Sequence, residues 1–260
     1  MIEAGHPLSV QAPKAARQKK FLQPRFRQVG PAGDGPRIIL AAQSGMGKTT
    51  AALTLLREYI RIVDLVWLIS GTLDIDPAYS TAKDLVRDKY KKEGTDINDP
   101  ELEPFREDLT TIRQIMATMT KRTQEAAEKG DKYSPAHLIL IDDLMAGGNG
   151  AGYRYNSDIV RLFAAGRHSG AIVILMTQSY KMLDKAARLQ ATHLGLWRVQ
   201  ETQKKEVFEE LSGRQGMTSD QLETAFSVAT RAPHGFLWIA YNAPSGEKLW
   251  SGFTRKLVNK

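Results

Sequence analysis

Between a short apolar run, Arg37–Ala42, and an amphipathic segment, Lys48–Val63, the chain reads Ala42-Gln43-Ser44-Gly45-Met46-Gly47-Lys48-Thr49. The run predicts a buried strand. The segment predicts a helix, because Ala52, Leu56, Tyr59, Ile60 and Val63 fall on one face. A strand-to-helix turn with Gly, Gly, Lys and Thr at these spacings predicts a phosphate-binding loop, which only a strand–loop–helix unit can hold in shape. Gly45 and Gly47 allow consecutive backbone N–H groups to turn inward around phosphate oxygens, and the helix N-terminus adds partial positive charge. Lys48 would reach the β- and γ-phosphates as a point charge, and Thr49 would place its hydroxyl on Mg²⁺. Ser44, Met46 and Thr50 complete the expected nucleotide cradle, Thr50 in a structural role. Ala42 stands where the first glycine of such loops is usual, a departure that leaves the essential geometry to Gly45 and Gly47.

A second constellation lies downstream. His137-Leu138-Ile139-Leu140-Ile141 predicts a strand that runs into Asp142-Asp143, so two carboxylates emerge at a strand's carboxyl end, where α/β sheets place ligands. Asp142 is the expected Mg²⁺-side carboxylate. Asp143 stands where an acid could orient or deprotonate an attacking water. Either Asp alone would serve equally as a loop cap; the apolar strand and the upstream loop favour the catalytic reading. A third element is the strand Ala171–Met176 followed by Thr177-Gln178-Ser179. A polar side chain at the end of a buried strand can touch the γ-phosphate or its water, and Gln178 is the candidate, although a lone Gln there is otherwise a surface residue.

The remaining chain alternates between strand-like and helix-like patterns, which predicts a mainly parallel sheet covered by helices. Leu65–Ser70 and His193–Val199 read as strands, and Asp158–Ala165, Tyr180–Leu189, Gln203–Leu211 and Ser219–Arg231 as helices. Leu109–Glu128 carries Leu109, Ile112, Ile115, Met116 and Met119 on one face. Gly235–Tyr241 and Lys248–Gly252, around a Pro244–Gly246 turn, predict a C-terminal β-hairpin. Residues 37–252 therefore form the expected domain, with 72–107 as an insertion of short helices, 1–36 as a basic Pro/Gly-rich arm and 253–260 as a basic tail.

Composition narrows the chemistry. The 260 residues include no cysteine, which excludes disulfides, thiolate zinc sites and cysteine nucleophiles. With 36 Lys+Arg against 29 Asp+Glu the formal charge is +7, which suits a polyanionic partner. No apolar run reaches the ~18 residues of a membrane span. No pair of histidines has a metal-binding spacing, and His137 and His193, at strand starts, are expected to pack or cap.

Taken in order, these motifs resemble the FtsK/HerA superfamily of DNA-pumping ATPases. Within it they are most similar to the genome-packaging ATPases of nucleocytoplasmic large DNA viruses, virophages and related double-jelly-roll viruses. The resemblance rests on Leu162-Phe163-Ala164-Ala165-Gly166-Arg167-His168, then Ile172-Val173-Ile174-Leu175-Met176-Thr177-Gln178-Ser179-Tyr180-Lys181, and extends from about Arg37 to Leu211. It implies a RecA-like P-loop core, ATP with Mg²⁺, and assembly into a homo-oligomeric ring, hexamer or pentamer, acting on double-stranded DNA. It also implies a location in the host-cell interior at the site of virion assembly, or in the virion itself. In such rings a neighbouring subunit supplies an arginine to the transferring phosphoryl group, and Arg167, at the family's Gly-Arg-His position, is the first candidate in trans. Arg188 and Arg198 are the others, and a salt bridge or helix-end role for Arg167 is the competing reading.

DNA has several candidate contacts. The segment Ala146–Asn156, rich in glycine, could carry Arg154 to backbone phosphate and Tyr153 or Tyr155 to sugar or bases, or be a solvent loop. The basic arm Lys14–Arg27 and the tail residues Arg255, Lys256 and Lys260 could meet DNA, a capsid vertex or portal, or a neighbouring subunit. Two other functions fit the motifs: a cellular or plasmid DNA-transfer or helicase-like ATPase of the same superfamily, and a nucleotide-dependent structural ring. A small-molecule kinase would want an arginine-rich lid, which 72–107 lacks.

Overall fold

Strands that are apolar at nearly every position, rather than at alternate ones, must be covered on both faces. Among the described residues the chain has five of this kind, and all are buried throughout in its computed structural model, which describes residues 18–19, 27–30, 35–142, 156–215, 217–244 and 246–257. In chain order the strands are β1 (Gln18–Lys19), β2 (Arg37–Ala41), β3 (Leu65–Ile69), β4 (Phe105–Arg106), β5 (Tyr133–Ser134), β6 (His137–Ile141), β7 (Ala171–Thr177), β8 (His193–Leu196), β9 (Leu237–Ala240), β10 (Leu249–Ser251) and β11 (Arg255–Lys256). The helices are α1 (Lys48–Tyr59), α2 (Ala78–Glu93), α3 (Ile112–Glu128), α4 (Ser157–Ala165), α5 (Lys185–Gln190), α6 (Glu201–Gln215) and α7 (Ser219–Ala229).

The main sheet runs β11-β10-β9-β8-β2-β7-β6-β3-β4, and the strands from β8 to β4 are parallel. The last three strands to join, β9, β10 and β11, are antiparallel, so the predicted terminal hairpin is present and widens the sheet. Right-handed crossovers carry the chain outward from β2 through α1 and α2, and back through α3, α4 and α5 on the opposite face. Accordingly α1 packs against α2 and β6, while α4 packs against α3 and α5. This double winding is the expected RecA-like α/β architecture, and it turns the carboxyl ends of all parallel strands to one edge.

Several boundaries differ from the sequence expectation for local reasons. The segment 72–107 holds one 16-residue helix, α2, and a strand, β4, instead of short helices. Its charged surface hides a buried stripe, Tyr79, Ala82, Val86 and Tyr90, that locks the sheet edge. β4 pairs only with Leu68 and Ile69, and the Tyr90 hydroxyl serves the stretch of β3 that β4 does not reach: it accepts from Val66 N (3.1 Å) and donates to Val66 O (2.9 Å). An edge strand's backbone groups are thereby satisfied by a side chain. The helix expected over Tyr180–Leu189 divides because Asp184 caps a fresh start, accepting from Ala186 N at 2.7 Å. Thr218 opens α7 in a reciprocal capping box with Gln221. The expected 253–260 tail begins inside the sheet, since Arg255–Lys256 pair with β10.

The described part of the N-terminal arm lies on its own chain. Gln18–Lys19 pair in parallel with β5, and the Val29 and Gly30 carbonyls accept from the Tyr59 hydroxyl at 2.7 and 3.0 Å. Trp238 Nε1 donates to Gln28 O at 3.2 Å.

Gly170 is the tightest glycine among the described residues. Its φ is +73°, and a Cβ there would stand 2.1 Å from the Pro135 carbonyl oxygen, at the approach to β6. Gly94, which ends α2 at φ +67°, has nothing within 4 Å of the same position. Gly170→Ala is expected to cost roughly 3 kcal/mol or more, backbone strain plus a forced shift, whereas Gly94→Ala should cost about 1 kcal/mol. Urea denaturation of the two variants measures the difference.

Candidate nucleotide-binding site

β2 lies between β7 and β8, and its chain leaves the sheet at Ala42, whose N–H still bonds the Thr177 carbonyl at 3.1 Å. Gly45 (φ +77°) and Gly47 (φ +96°) then make the turn that residues with a Cβ rarely adopt. Gly47 is the N-cap of α1, with no side-chain cap and no acidic residue in the first turn, so the leading N–H groups of the helix are left to an anion. Lys48 is buried and folds back along the loop, donating to Ala42 O (2.6 Å) and Gln43 O (3.2 Å). A buried ammonium needs such partners, and phosphate oxygens in the loop would be stronger ones.

Asp142 follows β6, two strands away from β2, with its N–H bonded to Ile69 O at 2.9 Å. The Tyr79 hydroxyl, from the first turn of α2, donates to Asp142 Oδ2. Tyr79 is fully buried, and burial together with the neighbouring carboxylate pushes its phenol far above the usual tyrosine range, so it stays a donor.

The loop and Asp142 open into one cavity of about 750 Å³. Ser44, Gly45, Gly47, Lys48, Thr49, Thr50 and Asp142 all line it, which brings together most of the residues singled out in the sequence. Thr72 and Asp76, beyond the end of β3, extend the same polar wall. Met46 turns away and packs on the core. The opposite wall consists of Trp197, His234, Phe236 and Phe253. Gln178 is exposed at the end of β7, between the strands that carry the loop and Asp142. Asp143, like the 146–155 part of the glycine-rich segment with Tyr153, Arg154 and Tyr155, lies outside the described residues; Asn156 caps α4, accepting from Asp158 N at 3.0 Å.

The arginines separate clearly. Arg167 is exposed at the amino end of β7, beside Gly35 and Arg37, whose guanidinium is held below its usual pKa by burial and by Arg167. The seven residues of β7, at ~3.3 Å each, put it on the far edge of the sheet from its own loop. Arg188 is buried and committed to Glu210, with Nε and Nη2 on the two carboxylate oxygens at 3.0 and 2.9 Å. Arg198 caps the end of α7 through the carbonyls of Thr230 (2.9 Å) and Arg231 (3.1 Å). His137 is buried against Trp67 and lowered to about 4, and His193 is stacked on Trp238 and lowered to about 3, in both cases chiefly by burial. No cluster of three metal-ligating side chains occurs among the described residues. A Mg²⁺ site of one Asp, one Thr and the nucleotide's own phosphates does not require one.

Sequence reasoning missed Tyr79, Thr72, Asp76 and the aromatic wall. Thr72, Asp76 and Trp197 follow buried strands, so the strand-end rule that found Asp142 would also have reached them. Tyr79 and His234 carried no comparable signal.

A glycine-turned phosphate loop on a central parallel strand, with its partner carboxylate two strands away, makes this chain a RecA-like P-loop ATPase of the FtsK/HerA superfamily. More narrowly, it belongs to the Poxvirus A32 protein family, whose sequence pattern matches residues 25–222. No curated protein matches the chain by sequence. Among solved structures it is similar to the genome packaging NTPase B204 from Sulfolobus turreted icosahedral virus 2 in complex with AMPPCP, at 15% identity and a TM-score of 0.51, covering 81% of this chain and 94% of that one. The same protein with sulfate gives 15% identity and a TM-score of 0.50 over 80% and 92% of the two chains. At this identity the likeness speaks for the fold. No helix among the described residues is long and apolar enough to cross a membrane.

The Arg188 pair predicts a pH dependence. Burial raises the Glu210 carboxyl, but hydrogen bonds and charge from Arg188 and Lys181 outweigh it and hold the group at about 2. A depressed carboxylate pKa stabilises the fold above the ordinary value near 4.5, and the contribution is lost as pH falls toward 2. Thermal melts from pH 6 to pH 2 should therefore show a steeper fall for the wild type than for Glu210→Gln, whose melting temperature is already lower at pH 6.

Proposed function

We propose that this chain is a viral genome-packaging ATPase that hydrolyses ATP with Mg²⁺ and uses the cycle to move double-stranded DNA as a homo-oligomeric ring. The observation that carries the reading is the single cavity shared by Lys48, Thr49 and Asp142. Membership of the A32 family and the fold shared with a protein described as a genome packaging NTPase support the packaging role.

The residues fit the nucleotide and its metal. The left-handed glycines, the uncapped helix start and the buried Lys48 suit a polyphosphate, and Thr49 with Asp142 would hold Mg²⁺, which when bound neutralises charge on the β- and γ-oxygens. Lys48 would exchange its loop carbonyls for phosphate oxygens, and Tyr79 would fix the rotamer of Asp142. Water attacks the γ-phosphorus, the bond from that phosphorus to the β–γ bridging oxygen breaks, and ADP and phosphate leave. In this scheme Asp143 takes the water's proton, and Gln178, from the strand between the loop and Asp142, orients the water and senses its loss. Arg167 is too far from its own loop, so it acts on a neighbouring subunit's nucleotide. Of the remaining basic residues, Lys256 is tied to Glu247 at 3.2 Å, and the glycine-rich segment, the basic arm and the tail residues Arg255 and Lys260 are the DNA-contact candidates.

Steady-state ATP hydrolysis with and without double-stranded DNA tests the proposal. Lys48→Ala and Asp143→Asn should each lower turnover by about a hundredfold or more, and DNA should stimulate the wild type. Hydrolysis indifferent to DNA, in a preparation shown by sedimentation to be assembled, would count against translocation. Arg167→Ala should be inactive alone and regain activity when mixed with Lys48→Ala, because each chain then supplies what the other lacks. Tyr79→Phe should fold normally and need roughly tenfold more Mg²⁺ for half-maximal turnover; an unchanged Mg²⁺ requirement removes Tyr79 from the site.

A further inference from the structure

The cavity is chemically two-sided. One wall is the phosphate loop with Thr72, Asp76 and Asp142; the other is Trp197, His234, Phe236 and Phe253, contributed by the chain just after β8, just before β9 and between β10 and β11. The aromatic side is a built surface. Trp197 and Phe236 are stacked with centroids 4.3 Å apart, and Phe253 meets Phe236 edge-on at 5.0 Å. Trp197 is buried and its Nε1 donates to the His234 carbonyl at 3.0 Å, holding His234 at φ +57°, the only positive φ outside glycine among the described residues. His234 is thus pinned against the loop itself: a Cβ on Gly47 would lie 3.5 Å from His234 Cβ and 3.7 Å from Nδ1. Strained backbone conformations of this kind persist where the surroundings fix them, and they cluster at ligand clamps.

A nucleoside triphosphate has one anionic end and one flat apolar end. With the triphosphate on the loop, only the aromatic wall matches the remainder. The geometry points to this wall as the nucleobase platform, with Phe236 and His234 touching the base and Trp197 and Phe253 bracing them. The inference rests on the ATP reading and adds a specificity to it. Among the described residues the wall carries no Asn, Gln, Asp or Glu to read a base edge, the Trp197 N–H and His234 carbonyl satisfy each other, and Thr54 spends its hydroxyl on the Thr50 carbonyl at 2.8 Å. Stacking accepts any base, because every base has a π-face, whereas strong discrimination needs hydrogen bonds that the wrong base leaves unpaired. The platform therefore binds nucleoside triphosphates with little regard to the base, and ATP and GTP are nearly equivalent on it.

Equilibrium binding to the full chain with Mg²⁺, followed by Trp fluorescence or calorimetry, tests this with ATP, GTP and inorganic tripolyphosphate as probes. ATP and GTP should bind within about fivefold of each other, and both about ten- to a hundredfold tighter than tripolyphosphate. Phe236→Leu, which keeps apolar bulk, and His234→Asn, which suits the left-handed backbone, should each weaken ATP and GTP alike by about tenfold and leave tripolyphosphate binding unchanged. Equal binding of ATP and tripolyphosphate by the wild type would overturn the platform while leaving the ATPase intact. So would a preference for ATP over GTP of a hundredfold, or an unaltered ATP-to-tripolyphosphate ratio in both variants. A wild-type chain that bound none of the three would instead overturn the ATPase reading beneath it.

Discussion

Parallel pairing of β2 between β7 and β8 is the constraint on which the site depends. Each ladder partner holds one side of β2 to the last residue, so the chain must leave the sheet at Ala42 and turn at once into α1. The loop's shape follows from that exit: two left-handed glycines, an uncapped helix start and a lysine folded back onto the loop carbonyls. Because the neighbouring strands are parallel, their own exits lie on the same edge. Asp142, Gln178, Thr72 and Trp197 are all residues that follow a strand end.

The same edge needs support from outside the sheet. α2, with a charged surface and a narrow buried stripe, serves it twice: Tyr90 satisfies the unpaired backbone of Val66, and Tyr79 reaches Asp142. On the other side the antiparallel strands β9 and β10 bring Phe236 and the chain toward Phe253 alongside Trp197. Edge protection and the lining of the cavity are thus carried by the same elements. The basic residues divide likewise, since Arg188 and Arg198 are held by internal bonds while Arg167 stands exposed on the opposite edge.

The amino-acid sequence alone determined the phosphate loop, the apolar strands before it and before Asp142, the alternating α/β order, the terminal hairpin and the family. These are local: a glycine's freedom, a lysine's charge or a five-residue apolar run has the same meaning whatever packs around it. Helix ends were less legible, since the cap at Asp184 competes with continuation by a single side-chain hydrogen bond. Only the tertiary structure decided the order of strands, and hence that β7 lies between the loop and Asp142 and that Arg167 points away from both. It alone brought Tyr79 to a carboxylate 63 residues away and His234 to a glycine far behind it in the chain. Such contacts arise from how crossovers stack helices on a twisted sheet, and no periodicity within a segment records which distant segment will lie against it.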